Sequence, residues 1–84
     1  MYIVRGNHDG VFAICSNVKQ AFNAAWTYTG NENIMTYEFI NNKIIDCKAT
    51  YANICRIIKR SNVSIERTDT DTEVTIELFY LNNY

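Results

Sequence analysis

The chain has 84 residues, with 8 basic and 9 acidic side chains and a net charge of −1. That length holds one domain around one core. The near-neutral balance excludes both the basic excess of a protein that neutralises many phosphates and the acidic excess of a DNA mimic. A direct nucleic-acid partner is therefore not expected.

Tyr2 to Arg5 is a short β-type run closed by the turn cluster Gly6-Asn7-His8-Asp9-Gly10. Val11 to Cys15 resumes the pattern, so residues 2–15 read as a hairpin. Ser16 stands in an N-cap position, and Val18, Phe22, Ala25 and Trp26 then recur at helical spacing. Gly30 is a natural stop, which predicts a helix over about 17–29.

The same order then recurs. Ile34 to Ile40 alternates, with Met35, Tyr37 and Phe39 on one side and Thr36 and Glu38 on the other. Asn41-Asn42 is a turn pair that accepts positive φ. Lys43 to Ala49 reads as the return strand, and a helix continuous with the next one is the competing reading. Thr50 is a second N-cap candidate, and Tyr51, Ile54, Cys55 and Ile58 mark one face of a helix over about 51–60. Arg56, Lys59 and Arg60 fall toward its C-terminal end, where cations complement the helix dipole. Val63–Arg67 and Glu73–Leu81 form a last hairpin around residues 68–72. In its second strand Val74, Ile76, Leu78 and Tyr80 share one face, and Thr75, Glu77, Phe79 and Leu81 the other.

The predicted fold class is therefore α+β. It is an antiparallel sheet of about six strands, in the order ββα-ββα-ββ, with two helices packed on one face. Apolar residues make up 48% of the chain, enough for such a core. No apolar run approaches the ~18 residues of a membrane span. The first residues lack the basic flank and long apolar stretch of a signal peptide, so neither a membrane nor secretion is expected.

The chemistry-bearing residues are few. Gly6-Asn7-His8-Asp9 resembles the GNHD box of calcineurin-like metallophosphoesterases, in which the Asn binds metal and the His contacts the scissile phosphate. Two metals need several further oxygen and nitrogen ligands, and His8 is the only histidine. The box therefore reads as a hairpin turn. Cys15, Cys47 and Cys55 show no metal or disulfide spacing and read as reduced apolar residues. His8 with Cys15, just before a helix N-terminus, is the one candidate nucleophile pair. With three glycines and no phosphate-loop motif, no cofactor or metal is expected, and no catalytic residue is assigned.

A candidate partner-binding surface is the last hairpin. Glu66, Asp69, Asp71, Glu73 and Glu77 cluster there, relieved by Arg67 alone. Phe79 and Leu81 face away from Val74, Ile76 and Leu78, as interface residues do. Such a surface suits a basic groove on another protein, or a homodimer. A second reading is a homodimeric binder of a small ligand or nucleotide signal, using tyrosine hydroxyls, Arg5 and Arg67.

Tyr2-Ile3-Val4, the Asp9-Gly10-Val11-Phe12 turn and strand, the alanine-rich capped helix and the Leu78-Phe79-Tyr80-Leu81-Asn82 ending together resemble small accessory proteins of phages of low-GC bacteria. Eleven Asn, eleven Ile and no Pro agree with AT-rich coding. The resemblance implies a non-enzymatic protein in the host cytoplasm that inhibits a host enzyme or defence system by binding a host protein directly. Anti-CRISPR and related anti-defence proteins form the best-populated class of this kind.

Overall fold

A computed structural model describes residues 1–30 and 33–79. Strands β1 (Tyr2–Gly6) and β2 (Gly10–Cys15) lead into helix α1 (Val18–Thr29). Strands β3 (Ile34–Ile40) and β4 (Lys43–Lys48) lead into helix α2 (Tyr51–Ile58), and β5 (Val63–Arg67) and β6 (Glu73–Leu78) complete the order. All six strands join one antiparallel sheet ordered β2-β1-β6-β5-β3-β4. The α+β architecture is the one the periodicities predict.

Residues 43–48 are strand, and the helical alternative fails for a local reason. Asn41 and Asn42 adopt φ of 52° and 64°, the left-handed pair that turns a tight hairpin. Every residue from Lys43 to Lys48 then pairs with β3. The cap of α1 is shifted by one residue from expectation. Asn17 is the N-cap and its side chain accepts from the Gln20 N–H, while Ser16 donates from N and Oγ to Gln20 Oε1. Gly30 ends α1 at φ 86°, and Thr50 caps α2, both as predicted. Tyr80 and Leu81, assigned to the last strand from sequence, lie outside the described residues.

Both helices lie on the same face and share one core with it. Val4, Val63, Ile65, Val74 and Ile76 point up from the three central strands β1, β5 and β6. Ala21, Phe22 and Ala25 point down from α1, and Ile54, Ile57 and Ile58 from α2. Each large side chain buried in this way contributes about 1.5–3 kcal/mol relative to exposure.

The GNHD turn is a clasp between the first and last hairpins. Asn7 Nδ2 donates to the Asp71 carbonyl at 2.7 Å, and Asn7 Oδ1 accepts from the Glu73 N–H at 3.1 Å. His8 Nε2 also reaches the Asp71 carbonyl, at 3.0 Å, and the His8 N–H donates to the Tyr28 hydroxyl. The Tyr28 ring lies directly on Gly6, where any Cβ would overlap it. These residue types are accounted for by packing.

The sheet is not continuous along its whole length. β3 pairs with β5 only through Ile34↔Arg67 and Met35↔Glu66. At the next step Thr36 Oγ1 donates to the Ser64 carbonyl at 2.7 Å, replacing a ladder bond with a side-chain one. Beyond it, residues 37–45 pair only with each other as a two-stranded arm, separated from Ser61 and Ser64 by narrow recesses.

Candidate protein interface

Cross-strand partners share a face, so the register defines the helix-free side of the sheet. In strand order it carries Ile14 from β2, Ile3 and Arg5 from β1, and Glu73, Thr75 and Glu77 from β6. Ser64 and Glu66 follow from β5, then Met35, Tyr37 and Phe39 from β3, and Ile44, Asp46 and Lys48 from β4. The face is thus acidic at its centre and apolar at both ends.

The centre is electrostatically unfavourable as it stands. Glu66 sits directly opposite Glu73, and like charges in that position repel. Asp46 lines the same recess of about 150 Å³, together with Tyr37 and Ser64. Ser64 Oγ donates to Glu73 Oε1 at 2.9 Å, a partial compensation. Arg5 is committed to Glu77 at 3.3 Å, and no basic side chain among the described residues pairs with Asp46, Glu66 or Glu73.

The apolar end on β3 and β4 carries the two most exposed large apolar side chains among the described residues. Phe39 is 64% exposed and Ile44, its direct cross-strand partner, is 61% exposed. Tyr37 stands edge-on to Phe39 with ring centroids 6.1 Å apart. On the opposite side of the same arm, Ile40 and Ile45 are each 44% exposed. Both faces of the arm therefore present large apolar side chains to solvent, an arrangement typical of interaction surfaces.

One ion pair ties the arm to the body. Arg56 on α2 donates from Nε and Nη2 to the Glu38 carboxylate at 2.8–3.2 Å, and from Nη1 to Asn53 Oδ1. These donors hold the Glu38 carboxyl below its ordinary pKa. A lowered folded-state pKa stabilises the fold above the unfolded value of ~4.3, and that stabilisation fades as pH falls through the folded value. Glu38→Gln should therefore be less stable than the wild type at pH 7, by a margin that shrinks as the medium is acidified, as read by urea unfolding.

The residues assigned from sequence divide into two sets. Glu66, Glu73 and Glu77 lie on the open face as expected, and Phe79 follows β6 on the same side. Asp69 and Asp71 lie in the turn beyond it, and the Asp69 carboxylate is already engaged. Arg67 holds Asp69 at 2.6 Å and keeps its carboxyl below the ordinary range, and it also donates to the Thr29 carbonyl. The Asp71 carbonyl accepts from Asn7 and His8. Leu81 lies outside the described residues. Arg5 and Arg67, the anchors of the small-ligand reading, are both in ion pairs.

Tyr37, Phe39, Ile40, Ile44 and Ile45 were not assigned to an interface from sequence. Their signal was present: around the Asn41-Asn42 turn both alternate sets carry large apolar residues, Phe39 and Ile44 on one and Ile40 and Ile45 on the other, whereas a half-buried hairpin needs only one. The Cys15–His8 pair is not assembled, because Cys15 stands opposite Tyr2 at the far end of the hairpin from the turn. Burial also raises the Cys15 thiol above its ordinary value, the reverse of what activates a nucleophile. Among the described residues no group of three or more His, Cys, Asp or Glu could hold a metal ion, and no helix is long and apolar enough to cross a membrane. A cleft of about 530 Å³ opens between the helices, lined by Phe22, Trp26, Ile34, Lys48 and Tyr51. No family model matches the chain, and neither a curated protein nor a solved structure is significantly similar to it.

Proposed function

We propose that the chain is a non-enzymatic binding protein that blocks a host enzyme or defence component by covering part of its surface, in the manner of the phage anti-defence proteins that its sequence resembles. The observation that supports this reading is the bare face of the sheet. Six strands carry helices on one side only, and the other side combines unpaired carboxylates with large exposed apolar groups. An isolated domain gains nothing from either. A partner with basic and apolar groups would relieve the Glu66–Glu73 repulsion and bury the apolar ends, with salt-sensitive association.

The test is affinity capture with the tagged chain from cells that naturally carry its gene, followed by titration with the purified partner. One partner at fixed stoichiometry is expected, with affinity about tenfold weaker for Glu66→Gln/Glu73→Gln. Recovery of no specific protein would set the reading aside.

The inter-helix cleft favours a second reading, a small aromatic ligand or nucleotide signal. Its volume lies within the ~300–1,000 Å³ of small-molecule sites. Phe22 lies 5.7 Å from both Trp26 and Tyr51, giving an aromatic lining. Trp26 is the only tryptophan in the chain, so its fluorescence would report occupancy directly. A nucleotide panel that leaves both that signal and the unfolding midpoint unchanged at millimolar concentration would eliminate this reading.

A further inference from the structure

Resting on the protein-binding reading, we infer that the β3–β4 arm is an apolar finger that inserts into a groove of the partner, and that this groove is apolar at its floor and lysine- or arginine-rich at its rim. Three observations lead there.

The first is exposure on two sides. Tyr37, Phe39 and Ile44 cover one face of the arm, and Ile40 and Ile45 the other. A flat partner could bury only one set. A groove buries both.

The second is the free backbone. Past Met35 the ladder between β3 and β5 ends, and near Glu38 and Phe39 that side narrows to a recess walled by Ile57, Arg60 and Ser61. β4 is the last strand of the sheet, so its outer edge keeps ladder donors and acceptors to offer to a groove wall. The bidentate Glu38–Arg56 pair holds the arm out in one direction, which limits the ordering cost of insertion.

The third is charge. At the base of the finger Asp46, Glu66 and Glu73 surround one recess and form an acidic collar. Among the described residues Lys48 is the one basic side chain beside it on that face, and Arg5 is occupied by Glu77. The collar meets whatever forms the rim of the groove, so the rim is basic. The same collar argues against a second copy as the occupant, since stacking two open faces would oppose carboxylate to carboxylate. Edge-to-edge joining through β4 would meet Lys43, Asp46 and Lys48, charges of the kind that guard sheet edges.

Site-directed photocrosslinking tests this. A benzoylphenylalanine placed at Phe39 in cells that carry the gene should give one adduct with another protein, and the same group at Asn23, on the exposed side of α1, should give none. With the captured protein purified, Phe39→Asp and Ile44→Asp should each weaken binding about 30-fold or more, the size of an interface hot spot. Asn23→Asp should leave it unchanged. Glu66→Gln/Glu73→Gln should flatten its salt dependence. An adduct of twice the chain's mass would overturn the proposal in favour of self-association. A captured partner indifferent to Phe39→Asp and Ile44→Asp would overturn the finger while leaving the protein-binding reading intact. Absence of any adduct from either position, with nothing captured by affinity, would sink both.

Discussion

Ile76→Ala should lower the unfolding free energy by about 3–4 kcal/mol, whereas Ile44→Ala should change it by less than about 0.5 kcal/mol. The two substitutions remove the same atoms from strands of one sheet. Ile76 is fully buried on β6, between Val4 and Val63 on the neighbouring strands and beneath the helices. Removing three carbons there leaves a cavity that the rigid sheet cannot close. Ile44 is mostly in water and loses little. A domain of this size has roughly 4–13 kcal/mol in total, so the first variant spends much of its margin. Urea unfolding at pH 7 measures both. Equal losses would mean that the Ile44 side chain is buried, contrary to the structure.

Gly6→Ala should cost about 2 kcal/mol, and the cost should vanish in a Tyr28→Ala background. The added methyl overlaps the Tyr28 ring, which must swing away. Doing so breaks its bond from the His8 N–H and its edge-on contact with Phe12, 5.0 Å between centroids. Once Tyr28 is gone the methyl meets no ring. Additive losses across the double-mutant cycle would show that the strain lies in the strand itself.

Much of the fold was legible because its signals are local. Asn41-Asn42 demands a tight turn, Thr50 and Gly30 mark helix ends, and alternation in residues 73–78 sorts Val74 and Ile76 from Thr75 and Glu77. The one-residue shift of the α1 cap arose because Ser16 and Asn17 are both good caps, and Gln20 decides between them. The site was less legible, for reasons that lie in the pairing of distant strands. Glu66 and Glu73 were identified because they belong to one hairpin. Their union with Asp46 depends on β5 meeting β3, which no local pattern states. The arm was missed because apolar residues on two sides of a hairpin read as core until the sheet order places them at an edge, where they stay exposed.

The strand order also bears on how the chain is made. β6 is the sixth strand to be synthesised, yet it lies between β1 and β5 near the middle of the sheet. Met1 N donates to the Phe79 carbonyl and the Phe79 N–H to the Met1 carbonyl, so residues 78 apart in sequence are hydrogen-bonded neighbours. While residues 73–79 are still inside the ribosome, the β1–β2–α1 unit and the β3–β4–α2 unit have no strand to join them. Each must wait with one unpaired edge and the underside of its helix exposed. Closure of this domain is accordingly a late event governed by long-range contacts, and the interval before it is when a chaperone or a neighbouring nascent chain meets those surfaces first.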